Sequence, residues 1–174
     1  SLANSTTAGG AVIKPRRLKK GDVVGLVSPS GATFFPDRAE VSREGLVAMG
    51  LEARFGEHAL DRYGYLGGSD EDRAGDINTF FADPDVKAVF SLRGGWGCNR
   101  VLPLLDYELI RKNPKIVMGL SDITGLLLGI YARTGLVTYH GPTAGASWGA
   151  FSVEHMKRVL FDGEALTMEN PEGD

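Results

Sequence analysis

From Asp22 onward the chain alternates short apolar runs with amphipathic stretches. DVVGLVSPS (22–30) is rich in β-branched residues and closes on Ser-Pro-Ser-Gly, the pattern of a buried strand meeting a turn. PDRAEVSREGLVAMG (36–50) sets Ala39, Leu46, Val47 and Met49 roughly along one face and has Gly50 as its stop, so it predicts a helix. LEARFGE (51–57) reads as a second strand, and HALDRYGYLGGS (58–69) as a loop bearing glycine and tyrosine. Ser69 followed at once by acidic residues is a capping signature for a helix over 69–83. Asp83-Pro84 stops that helix, and KAVFSLRG (87–94) predicts a third strand. One or two short helices over 98–112 precede a fourth strand, KIVMGLS (115–121). An apolar helix, DITGLLLGIYART (122–134), ends at Gly135, and LVTYHGP (136–142) predicts a fifth strand; a further helix is expected over 152–160.

Strands that are continuously apolar and alternate with helices predict an α/β fold, a mostly parallel sheet flanked by helices on both faces with right-handed crossovers. Ligands in such sheets sit outside the carboxyl ends of the strands. Three loops should meet there: Ser28–Ala32, Arg93–Cys98 and Gly119–Thr124.

Charge and composition narrow the function classes. The 19 Lys+Arg against 22 Asp+Glu leave a net charge of −3, which gives no electrostatic reason to expect a nucleic acid or an anionic membrane as partner. Apolar residues at 43% can fill a core, and 24 glycines without a collagen-like period point to tight turns and close backbone approaches. One cysteine excludes a disulfide framework and a Cys-based zinc site. No apolar stretch is long enough to span a bilayer. Residues 1–12 are small and polar and read as a flexible tail; because the chain starts at Ser1, a removed leader or tag is expected before it.

The sharpest chemical feature is VMGLSDITG, where Ser121 ends a strand and opens a helix. A serine on such a turn projects its hydroxyl above the sheet edge, and the Asp122 amide then points outward at a helix N-terminus. That is the logic of a nucleophile elbow, which supplies an attacking oxygen and an oxyanion donor from one turn. The G-x-S-x-G pattern is incomplete, since Ile123 stands at the last glycine, and Ser121 or Asp122 capping helix 122–134 is the plainer alternative.

The second feature is SLRGGWGCNR, another strand end running into glycines. Gly94 and Gly95 let a ligand approach backbone amides closely, and a tight strand–helix turn accounts for them equally well. It is neither a dinucleotide fingerprint, because Arg100 stands at the third glycine, nor a Walker loop. Cys98 reads as a small buried residue. Of the histidines His58, His140 and His155, only His140 falls at a strand end, and no pair of histidines has helical ligand spacing, so no metal is expected. Trp96, Tyr63 and Tyr65 sit in loops that could wall a pocket or simply pack.

Taken together, KPRRLKKGDVVGLVSPSGA, LRGGWGCNRVLPLLDYELIRKNPKIVMGLSDIT and GLVTYHGP resemble, in that order, segments of the LD-carboxypeptidase family of serine peptidases. The family includes muramoyl-tetrapeptide carboxypeptidase and the microcin C7 self-immunity proteins. The resemblance covers about residues 13–142 and is specific over Arg93–Thr124. It implies a class I glutamine amidotransferase-like (flavodoxin-like) N-terminal domain over 13–145, and a linker with the start of a C-terminal domain over 146–174. It further implies Ser121 as nucleophile, with an oxyanion hole from the Asp122 amide and one amide of Gly94 or Gly95. Arg93, Trp96 and His140 would contact substrate.

The family's Glu and His partners lie in its C-terminal domain. The chain ends at Asp174, before the positions where they are expected, so the segment alone is expected to be nearly inactive. Glu154, His155, Glu164 and Glu169 are not assigned to the triad. The implied substrate is a murein tetrapeptide that loses terminal D-alanine during peptidoglycan recycling, with no cofactor. The protein's own C-terminal domain is an expected partner, and a homodimer is the expected assembly at full length. The expected compartment is the cytoplasm, or the periplasm if a leader has been removed. The alternatives are hydrolysis of an acyl-sulfamoyl adenylate antibiotic, or a non-catalytic domain whose glycine rim binds a small anion.

Overall fold

The computed structural model describes residues 12–29, 36–61, 68–92, 98–119 and 123–140, with Lys157, Arg158 and Phe161. In chain order it contains β1 (Val23–Val27), α1 (Pro36–Ala48), β2 (Glu52–Phe55), α2 (Asp70–Ala82) and β3 (Val86–Ser91). Two 3-10 turns, Cys98–Arg100 and Leu102–Leu104, lead to α3 (Tyr107–Lys112), β4 (Ile116–Gly119), α4 (Ile123–Thr134) and β5 (Tyr139–His140). The strands form one five-stranded sheet in the order β2-β1-β3-β4-β5, and each neighbouring pair is parallel. The α/β parallel architecture expected from the apolar pattern is therefore present.

The two-residue period of the strands sorts the core into two layers. Val23, Val27, Val89 and Val117 join residues of α2, α3 and α4 in one apolar cluster. Val24, Leu26, Ala88, Phe90, Ile116 and Met118 join Ala39 and Leu46 of α1 in the other, with Phe161 packed against it. All five residues of β1 are buried, as its uninterrupted apolar run requires.

Ser69 caps α2 as expected: its Oγ accepts from the Asp72 amide at 3.1 Å, and three acidic residues occupy the first turn. Two expectations need correction. Val47 does not belong to the inward face of α1; it is 49% exposed, while Ser42 is buried between Ala39 and Leu46. The 3.6-residue period places 39, 42 and 46 together and turns 47 outward. The fifth strand also begins later than Leu136: among the described residues only Tyr139–His140 pair with β4, and residues 141 and 142 lie outside the described residues. Leu136 instead makes a lone parallel bridge to Ile13, with Ile13 N donating to Gly135 O and Val137 N to Ile13 O, both at 2.8 Å. These bonds tie down the chain at Ile13. Residues 1–11 and nearly all of the helix expected over 152–160 lie outside the described residues.

Candidate functional site

In a sheet of this order the strand direction of winding reverses between β1 and β3, and the crevice outside their carboxyl ends is the usual ligand position. All five strands deliver their carboxyl ends to that edge: β1 at Val27, β2 at Phe55, β3 at Ser91, β4 at Gly119 and β5 at His140. Val27 pairs with Ser91, and Gly119 pairs with His140. The residues that the sequence singles out follow these ends. Ser121 and Asp122 fall in the three-residue connection between β4 and α4, and Arg93, Gly94, Gly95 and Trp96 follow directly on the end of β3. All six lie outside the described residues, as do Tyr63 and Tyr65, and His140 is placed only by its backbone pairing with Gly119.

The supports of the two loops are described. The turn at Cys98–Arg100, which follows the glycine loop, lies against α4, which follows Ser121. A side-chain carbon at Gly125 would stand 2.7 Å from Asn99 Oδ1, and one at Gly129 would stand 2.6 Å from a Leu102 methyl. The two glycines, one helical turn apart, let the α4 backbone approach both 3-10 turns. Cys98 is fully buried in the same cluster as Leu126 and Ile130, as the sequence reading expected. The loop connections that carry Gly94–Gly95 and Ser121–Asp122 in the sequence therefore spring from elements in direct contact.

The exit of β1 is held just as firmly. Ser28 Oγ donates to Ala59 O at 2.6 Å, and the Arg73 guanidinium donates to Pro29 O at 2.7 Å. Arg73 is 1% exposed and also pairs with Asp70 on its own helix. Ser91, at the end of β3, buries a hydroxyl that has no partner among the described residues.

One polar cluster at this edge escaped the sequence reading. His58 Nδ1 lies 2.6 Å from Asp61 Oδ2, His58 Nε2 lies 3.6 Å from Asp72 Oδ1, and the His58 amide donates to Asp76 Oδ2 at 3.0 Å. The hydrogen bond to Asp61 is the main cause holding the His58 pKa above its ordinary value, aided by the charges of Asp72 and Asp76. Burial pushes the Asp76 carboxyl up, against the pull of the His58 amide. His58, Asp61 and Asp72 each bring one ligand atom within 4.8 Å of the others. However, His58 already commits Nδ1 to Asp61, so the arrangement is that of an ion-pair network fastening the loop after β2 to α2. Histidine pairs alone do not reveal it, because Asp72 comes from another element; the i,i+3 spacing of His58 and Asp61 is its one local signal in the sequence.

Comparison with known proteins places this edge in a family. The Bacillus subtilis protein named "Probable murein peptide carboxypeptidase" is 38% identical over 148 residues, 85% of this chain and 46% of its own. The Microcin C7 self-immunity protein of Escherichia coli is 37% identical over 134 residues, 76% of this chain and 39% of its own. Among solved structures, an MccF-like protein from Bacillus anthracis superposes with a TM-score of 0.80 at 36% identity, covering 85% of this chain and 47% of that one. Muramoyltetrapeptide carboxypeptidase from Oxalobacter formigenes gives a TM-score of 0.72 at 26% identity, covering 80% of this chain and 48% of that one. The chain thus spans about half the length of the relatives it matches. The family profile described as the LD-carboxypeptidase N-terminal domain matches residues 24–141, from β1 to just past β5, and the chain belongs to the LD-carboxypeptidase family.

Proposed function

We propose that the protein is a serine carboxypeptidase that cleaves an amide between an L-configured centre and a terminal D-amino acid, releasing D-alanine from a murein tetrapeptide in peptidoglycan recycling. The observation that carries this reading is the connection between β4 and α4. Gly119 ends a buried strand, Ile123 begins a helix, and Ser121 falls in the three residues of sequence between them, on the side of the sheet to which the strands deliver their carboxyl ends. The names of the murein carboxypeptidase relatives supply the substrate class.

In this reading Ser121 Oγ attacks the scissile carbonyl carbon and passes its proton to a histidine. The oxyanion forms against the amides of Asp122 and of Gly94 or Gly95. Collapse breaks the C–N bond, and the histidine gives its proton to the leaving amine of D-alanine. Water then hydrolyses the seryl ester and restores the hydroxyl. Arg93, Trp96 and His140 line the substrate cleft. Residues 13–145 form the nucleophile-bearing domain, and 146–174 lead into a further domain that supplies the histidine and its orienting glutamate. The family's recycling role favours the cytoplasm; among the described residues no helix is long and apolar enough to cross a membrane.

The likeness to solved MccF structures favours a second reading, hydrolysis of an acyl-sulfamoyl adenylate antibiotic. One experiment separates the readings. The full-length protein and its Ser121→Ala variant are assayed on murein tetrapeptide for free D-alanine, and on an aminoacyl-sulfamoyl adenosine for its hydrolysis. Residues 1–174 alone form a third arm. Loss of D-alanine release by about 10³-fold or more in the variant is the expected result, with the 174-residue arm near background. Cleavage of the adenylate alone transfers the reading to the antibiotic. Wild-type inactivity on both removes the hydrolase reading in favour of a small-ligand binder.

A further inference from the structure

A cleft of about 350 Å³ opens at the opposite end of the sheet from the serine edge, where Asp22 leads into β1, Val86 begins β3 and Lys115 leads into β4. Its size is that of a small-molecule site, but its wall is charged rather than apolar. Five cations line it, Arg16, Arg17, Lys19, Lys87 and Lys115, against one carboxylate, Asp22.

The sequence explains how these charges are held. Pro15 and Leu18 are buried and pin the segment KPRRLKK, so Arg16, Arg17 and Lys19 stand at the surface on a fixed backbone. That arrangement reduces the ordering cost of gripping a ligand. Asp22 Oδ2 accepts the Lys19 amide at 2.8 Å, which fixes the carboxylate and leaves it as the one opposing charge in the lining. Lys87 Nζ donates to Pro84 O at 2.6 Å, and Lys115 Nζ donates to Phe80 O at 2.6 Å and to Asp83 O. These are carbonyl acceptors, which orient the ammonium groups; the Asp83 carboxylate also acts on Lys115, opposed by the charge of Lys87. None of the five cations belongs to an ion pair among the described residues.

A chain whose net charge is −3 has no general reason to gather around one concavity five cations that have no ion-pair partner among the described residues. Together they make a focused positive potential. Consecutive arginines present planar forks and the lysines present point charges, a combination that suits an oxyanion accepting hydrogen bonds from several directions. The concave shape and the negative charge of the chain as a whole argue against a membrane surface or a nucleic-acid duplex. We propose that this cleft is a binding site for a small, multiply charged, phosphate-type oxyanion, separate from the serine edge.

Titration calorimetry with inorganic pyrophosphate at low salt tests this on the full-length protein. Variants Arg16→Gln/Arg17→Gln, Lys87→Ala and Ser121→Ala are compared with wild type, and citrate serves as a carboxylate of similar charge. The expected result is saturable binding of one ligand per chain that weakens with salt. It should weaken about tenfold or more in the double-arginine variant, less in Lys87→Ala, and not in Ser121→Ala, with citrate the weaker ligand. Arg16, Arg17 and Lys87 are exposed, so these variants should retain the fold; far-UV dichroism checks this, and Lys87→Glu is the second probe. Absence of saturable binding, equal affinity in the arginine and Lys87→Glu variants, loss of binding in Ser121→Ala, or equal affinity for citrate would each overturn the assignment. The Ser121→Ala assay on murein peptide is read separately, so the two proposals can fail independently.

Discussion

Arg73 shows how far the edge of the sheet depends on a single buried charge. It is 1% exposed, and its guanidinium reaches Pro29 O across 44 residues of sequence while pairing with Asp70 one helical turn away. Removing it strands the Pro29 carbonyl and leaves a void beside it; Asp70 keeps a second contact, Arg100 Nε at 3.1 Å. Arg73→Ala should therefore lower unfolding stability by about 2–4 kcal/mol. Urea denaturation is the measurement, read as a lower midpoint at unchanged slope. Arg73→Lys should recover little of the loss, because an ammonium cannot span both acceptors as the planar fork does. Stability within about 0.5 kcal/mol of wild type for Arg73→Ala would mean that the loop does not lean on this residue. Nothing in the local sequence signals the role: SDEDRAGD announces the cap and the acidic first turn, yet it cannot say that one arginine in it faces inward.

At the scale of elements, close approaches made by glycine decide the geometry. Gly25, in the middle of β1, faces the ring of Phe80 on α2, and a side-chain carbon there would stand 2.5–2.7 Å from Phe80 Cδ2, Cγ and Cε2. The ring is buried and cannot swing away. Gly25→Ala should cost about 1–3 kcal/mol through overpacking. A double-mutant cycle with Phe80→Leu should recover part of that cost, and strict additivity would show that the two do not meet. The elements themselves were legible. Apolar runs and caps place β1 to β4 and α1, α2 and α4 to within three residues, because each is built from its own local pattern. The end of the chain was less so: LVTYHGP has strand-like composition, but Leu136 is claimed by Ile13 from the far end of the chain, a pairing that no local pattern encodes. The candidate site divides in the same way. Cys98 could be read as buried from its type, whereas the His58–Asp61–Asp72 network is assembled across elements and had to be seen in three dimensions.

Across the whole molecule, two titrating groups pull stability in opposite directions. His58 faces Asp61, Asp72, Asp76 and Glu57, and the hydrogen bond to Asp61 leads in raising its pKa above 6.5. Its contribution is complete below the unfolded value and is lost as pH rises through the folded one. Lys115 faces Asp83, Lys87 and two carbonyls at the C-terminal end of α2, and burial pushes its pKa down from 10.5 to about 8. Between about pH 8 and 10 the unfolded chain holds this proton and the folded chain does not, so stability rises with pH by about 1–2 kcal/mol, allowing for partial screening. Above pH 10, Tyr107 and Tyr139, whose pKa values burial raises, turn the trend downward again. Urea midpoints measured from pH 6 to 10 should therefore pass through a shallow minimum near pH 8. His58→Gln should flatten the limb below it and Lys115→Met the limb above it. A monotonic profile in the wild type would mean that one of the two groups does not titrate in its folded environment, and the limb that fails to respond to its variant identifies which. The Lys115 limb also bears on the basic cleft: a bound oxyanion favours the ammonium form, so saturating pyrophosphate should move the upper limb to higher pH in wild type and leave Lys115→Met unchanged.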